Sequence, residues 1–156
     1  MKKYLLLGAS ALLILAVPAI GQQTTTAAIE GHNITVKYAA PAAKNLASGS
    51  FVTEADLTFP GFNVPKGSYT AYVLADGDKW QLAINKATGA KAATYDPKLN
   101  VGKAPMTMTK AGAPAAACKI TLTKIAALAV RLDVAWNGEV ASTPFHQDWG
   151  NVDAEW

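Results

Sequence analysis

Beyond about residue 21 the chain alternates apolar and polar positions with a period of two, and no stretch repeats with the 3.6-residue period of an amphipathic helix. The first predicted strand covers Ile34 to Tyr38, with Ile34, Val36 and Tyr38 on one face. The Ala- and Pro-containing stretch Ala39 to Ala47 then reads as loop. A second strand is expected from about Phe51 to Phe59, with Ala55, Leu57 and Phe59 inward and Glu54, Asp56 and Thr58 outward, closed by Pro60-Gly61. Pro65-Lys66-Gly67 turns the chain into Ser68–Leu74. Tyr69, Ala71 and Val73 take one face there and Tyr72 and Leu74 the other, so this strand is expected at the centre of a sheet. Asp76-Gly77 is a hairpin signal, because glycine accepts the positive φ of such turns. The returning strand carries Trp80, Leu82 and Ile84 on one face and ends in the turn Asn85 to Gly89.

Further on, Met106 to Thr109 makes a short strand, followed by Lys119–Ile125 and Ala129–Trp136. The last of these places Val130, Leu132, Val134 and Trp136 inward. Asn137-Gly138 is a strong two-residue hairpin signal, and Glu139–Thr143 pairs back until Pro144 interrupts the ladder. About eight short strands with a turn every 8–12 residues predict an all-β, antiparallel β-sandwich. A short helix near Ala87–Ala93 is compatible with the pattern. The Ala-Pro clusters Ala39–Ala43 and Ala113–Ala117 read as surface loops within one domain. The chain thus divides into a leader (1–21), a flexible lead-in (22–33), a sandwich (34–145) and a polar tail (146–156).

The leader interpretation rests on Lys2-Lys3 followed by an apolar run from Tyr4 to about Val17, the basic and hydrophobic regions of a secretory signal peptide. The run is shorter than the roughly 20 residues needed to cross a bilayer. Small residues place cleavage after Ala19 or after Gly21. With no cysteine beside either point, a lipid anchor is not expected. The mature chain is expected to be periplasmic or extracellular, without an integral membrane span. Without Lys2 and Lys3 the 14 Lys and Arg become 12, set against 11 Asp and Glu, which is not the basic field of a nucleic-acid binder. The lysines from Lys37 to Lys110 are dispersed and do not cluster beside aromatics, unlike a groove that tracks a strand. Asn33-Ile34-Thr35 fits the glycosylation pattern, but the triplet enters a strand.

Cys118, the single cysteine, excludes an internal disulfide. It shares a face with Ile120 and Leu122 and reads as a buried, inert thiol; neither His32 nor His146 forms a motif with it.

From Phe59 to Phe145 the chain resembles a bacterial exported family, the domain of unknown function 2911. The likeness is carried by Val64-Pro65-Lys66-Gly67-Ser68-Tyr69, by Trp80-x-Leu82-x-Ile84-Asn85-Lys86-x-Thr88-Gly89, by Tyr95, and by Val101-Gly102-Lys103-Ala104-Pro105-Met106-Thr107. A terminal hairpin around Trp136 adds to it, as do Ile34 to Tyr38 with Pro41 beyond. The resemblance implies a β-sandwich and brings no established activity. Two departures stand out. Relatives typically carry a Tyr-Gly-x-x-Trp-Arg-x-Gly-Ala-Asn-type segment between the first two strands, whereas here Ala39 to Ser50 holds no Trp, Arg or Tyr. Relatives often continue Gln-Trp-Gly after Thr88-Gly89, where this chain has Ala90-Lys91-Ala92. No functional residue carries over.

Candidate chemistry is sparse. His146 and Asp148, two apart on an extended segment, point to one side and could supply two metal ligands. A catalytic zinc usually takes three, so His32 would have to join them. That would make a small metal-dependent hydrolase, set against the plainer reading of a solvated tail. Trp80 and Trp136 fall on inward faces and read as core. Trp149, Trp156 and Tyr95 are the candidates for an aromatic, glycan-binding surface. The acids Asp56, Asp76, Asp78 and Asp133 fall on turns or outward faces rather than as a pair across a cleft. Neither a phosphate loop, a Gly-x-Ser-x-Gly elbow nor a His-Glu-x-x-His helix is present. The sequence therefore points to a non-enzymatic binding or envelope-associated module that uses no cofactor, with an envelope protein or glycan as its partner and no nucleic acid.

Overall fold

A computed structural model describes residues 22–41, 45–110 and 118–147. The described residues fold as an antiparallel β-sandwich. The first sheet is built from β1 (Gln23–Ile29), β2 (His32–Tyr38), β3 (Leu46–Thr53), β6 (Gly67–Leu74), β7 (Gln81–Asn85) and β8 (Asn100–Pro105), side by side in that order. The second runs β10 (Lys119–Ala126), β11 (Ala129–Trp136), β12 (Glu139–Gln147), β4 (Leu57–Phe59) and β5 (Phe62–Val64). A further strand, β9 (Thr107–Lys110), pairs with the first half of β12.

Between the sheets lies one apolar layer. Ile34, Val36, Phe51, Leu82 and Ile84 face Leu57, Phe59, Val130, Leu132, Val134 and Phe145, all buried. Phe51 of the first sheet lies 6.1 Å from the rings of both Phe59 and Phe145 in the second, at edge-on or tilted angles favourable to aromatic quadrupoles. Trp80 and Trp136, 3% and 7% exposed, cross the same gap edge to face with centroids 5.7 Å apart. Cys118 is 4% exposed in this core, as its alternation suggested.

Several elements differ from the sequence expectation. Residues 22–33, expected to be a flexible lead-in, contain β1, paired with β2 along its whole length through the two-residue turn Glu30-Gly31. Both turn residues have positive φ, the geometry that matches strand twist. The single strand expected over 51–59 is broken at Glu54–Asp56. Its faces are as expected, with Ala55, Leu57 and Phe59 buried, but the chain changes sheet there. The cause is local: Thr53 Oγ1 donates to Ala55 O (2.6 Å) and accepts from Ala55 N (3.1 Å), which diverts the backbone from the ladder. β5 and β8 lie in stretches where no strand was expected.

Pro144 does not end its strand, since β12 continues to Gln147. The tight turn at Asn137-Gly138 makes Trp136 and Glu139 a hydrogen-bonded pair, so pairing alternates and Arg131↔Pro144 is a non-hydrogen-bonded pair. The Pro144 nitrogen thus faces the opposite side of β12. There β9 has stopped at Ser142 and β4 has not begun until His146. No ladder bond is lost.

The two sheets also meet at their edges. Leu122 N of β10 donates to Thr25 Oγ1 of β1 (3.1 Å). At the other seam the ring of Phe62 on β5 lies where a Cβ on Gly102 of β8 would stand, 2.2 Å from Phe62 Cγ. Strand edges that would otherwise invite another chain are covered by the partner sheet. Among the described residues no helix is long and apolar enough to cross a membrane.

Candidate functional site

Between β7 and β8 the chain leaves the first sheet and folds back over its outer face. Two short 3-10 turns, Gly89–Ala93 and Pro97–Leu99, form this excursion. Its attachment is made by polar side chains that rise from the sheet. Thr70 Oγ1 donates to Ala87 O and Tyr72 Oη to Ala92 O, both at 2.6 Å. Asn85, fully buried, donates through Nδ2 to Asp96 O and Asn100 Oδ1 and accepts at Oδ1 from Ala87 N, each at 2.9 Å. An amide side chain has both donor and acceptor, so one residue can satisfy both arms of the excursion. Beneath it Tyr72, Ala83 and Ala87 are buried outside the main core. That explains why β6 carries apolar residues on both faces.

A groove opens where the excursion meets β2, β3 and β6. Its larger compartment, about 410 Å³, is lined by Gln22, Lys37, Ser48, Ser50, Thr70 and Gly89 among others. A second compartment of about 220 Å³ shares Ala39, Ser48, Ala92 and Ala93 with the first and adds Pro41, Leu46 and Tyr72. The floor is ordered by strand register. Lys37, Ser50 and Thr70 sit opposite one another across three strands. Ser48 opposes Tyr72 one row further, and Leu46 opposes Leu74 in the row after that. The wall is the Gly89–Ala93 turn, whose first residue has φ +62°. Among the described residues Lys37 is the single ionisable ammonium of the lining side chains, and no carboxylate lines either compartment. A separate hollow of about 550 Å³ lies by the β6–β7 hairpin, lined by Leu74, Asp76, Asp78, Trp80, Pro105 and Met106 among others.

The residues singled out from the sequence lie elsewhere. His146 belongs to β12 rather than to a solvated tail; it is 3% exposed, stands opposite Thr58 and Ala129, and has Nδ1 2.9 Å from Gln147 O. His32 starts β2 on the other sheet and is exposed. Among the described residues no three His, Cys, Asp or Glu side chains are grouped so as to hold a metal ion. Asp148, Trp149 and Trp156 lie outside the described residues. Tyr95 is half-buried: its ring packs on Tyr72 at 4.8 Å and its hydroxyl accepts from Asn100 Nδ2 at 2.8 Å, so it serves the excursion. Burial pushes the Cys118 thiol up to about 11, which keeps it protonated and unreactive near neutrality.

The groove residues were missed because serines, alanines and a lysine have no motif; only strand register collects them. The quoted sequence motifs have structural roles instead. Gly67 adopts φ +151°, and Tyr69 Oη donates to Pro65 O at 2.7 Å, fixing the turn into β6. Lys66 N donates to Asp56 Oδ1 at 2.8 Å. Asn85, Tyr95 and Gly102 hold the excursion and the seam.

No curated protein and no solved structure matches this chain. One family model does: that described as protein of unknown function (DUF2911) matches residues 47–145, from the second residue of β3 to Phe145, two residues before the end of β12. The match spans the sheet-switching bend, the excursion, the seam and the final hairpin, well over half of the 156 residues. The chain belongs to this family of proteins of unknown function.

Proposed function

We propose that this protein is an exported binding module, without catalysis of its own, whose ligand sits in the groove between the outer face of the first sheet and the Gly89–Ala93 turn. The observation that carries this reading is preorganisation. Floor and wall are joined by the bonds of Thr70, Tyr72 and Asn85, so a ligand would meet a finished concavity and little ordering would be needed on binding. A concave site with few, fixed polar groups is the usual form of a small-molecule site. Export is supported by Lys2-Lys3 and the apolar run behind them.

Two measurements test the proposal. The intact mass of protein recovered from outside the cytoplasm should correspond to a chain beginning at Ile20 or Gln22; an unprocessed cytoplasmic chain would refute export. Amide shifts of the mature chain, recorded against a library of small metabolites and oligosaccharides, should move at residues 37–39, 46–50 and 89–93. Ala92→Trp, which fills the groove, should abolish those shifts. Shifts confined to the hollow beside Trp80, or unchanged by the filled groove, would overturn the assignment.

A further inference from the structure

The groove has two chemically different ends, and their order is fixed by register. Two residues along a strand advance about 6.8 Å, so the row of Lys37 and Ser50 stands about 14 Å from the row of Leu46. The first row offers an ammonium, a hydroxyl and, beside it, the Gln22 amide. The middle row offers Ser48 and the methyls of Ala39, Ala92 and Ala93, which are common to both compartments. The ring of Tyr72, whose hydroxyl is already bonded to Ala92 O, belongs to this middle row as well, and the last row offers Leu46 with Pro41 beside it. Among the described residues, positive charge at one end is not opposed by any lining carboxylate, and the apolar end brings no further donor that lacks a use. On the reading that this groove is the binding site, we infer that its ligand is a small amphipathic anion. Its acidic head sits at Lys37 and Ser50 and its apolar body lies along Ser48 toward Leu46 and Tyr72. A neutral sugar would leave the lysine unmatched and place hydroxyls against the apolar row, where burial without partners is costly.

Octanoate, octyl phosphate and octanol are the probes, titrated into the mature chain with amide shifts as readout. The two anions should bind and shift residues 37, 46, 48 and 50. Affinity should rise about fourfold for each methylene added from butanoate to octanoate. Lys37→Met should weaken the anions about tenfold and leave octanol unchanged, since a charge-assisted hydrogen bond contributes on that order. Leu46→Ser should weaken octanoate far more than butanoate. The preferred head group, carboxylate or phosphate, is read from the two anion arms. Equal binding of octanol, or indifference to Lys37→Met, would overturn the anion assignment. If a neutral oligosaccharide binds and is displaced by Ala92→Trp, the groove stands and the ligand class falls. If none of these compounds responds to Ala92→Trp, the site itself is wrong.

Discussion

Gly102 shows how much one missing Cβ can carry. It lies in a motif whose purpose the sequence does not state, and the structure assigns it the ring of Phe62. Gly102→Ala is predicted to cost about 1–3 kcal/mol in urea unfolding, as overpacking does. The penalty should shrink when Phe62 is first cut to Ala; an equal cost in both backgrounds would deny the contact. Cys118 gives a second residue-scale prediction. Its folded pKa of about 11 lies above its ordinary 9.0, so between those values the unfolded chain has fewer protons bound than the folded one. Stability from the buried thiol is therefore complete below about pH 9 and is lost as pH rises through 11. Comparing wild type with Cys118→Val from pH 8 to 11 isolates this: the urea midpoint of wild type should fall relative to the variant, and parallel curves would contradict it.

Among the elements, the excursion between β7 and β8 depends most on a single side chain. Asn85→Ala removes three hydrogen bonds and leaves Asp96 O and Ala87 N without their partner. We predict a loss of about 2–4 kcal/mol. Amide exchange should quicken first over residues 86–100, with β2 and β11 protected as before; uniform loosening would mean that the excursion is not a separate unit. The hairpins show which turns a sequence reveals. Asn137-Gly138 was visible because asparagine and glycine both tolerate positive φ, and both adopt it (55° and 79°). Glu30-Gly31 uses nearly the same angles, 50° and 82°, but glutamate gives no such signal. β1 was lost with it. Its sequence Gln-Thr-Thr-Thr-Ala-Ala-Ile also buries only Ile29, so alternation had little to report.

For the molecule as a whole, the sandwich holds through side chains that cross from sheet to sheet. Trp136 of the second sheet meets Trp80, whose Nε1 is bonded to Gly77 O at 3.0 Å, at the start of β7 in the first. Trp136→Ala is predicted to destabilise by about 3–5 kcal/mol in chemical denaturation. A cost near that of a surface substitution would mean that the inward faces are assigned wrongly. The candidate site is also a whole-molecule property. Lys37, Ser48, Ser50, Thr70 and Ala92 come from three strands and a turn, and nothing in their separate neighbourhoods marks them.

Read alone, the sequence determined what is local: which side of each expected strand is apolar, that Asn137-Gly138 folds back, and that Trp80, Trp136 and Cys118 lie inside. Those facts follow from the two-residue repeat of extended backbone and from the dihedral limits of single residues. Tertiary structure alone decided which sheet each strand joined, that Pro144 could sit where two neighbouring strands leave a gap, and where the groove lies. Such features depend on partners distant in the chain, and a repeat along one strand holds no information about the strand beside it.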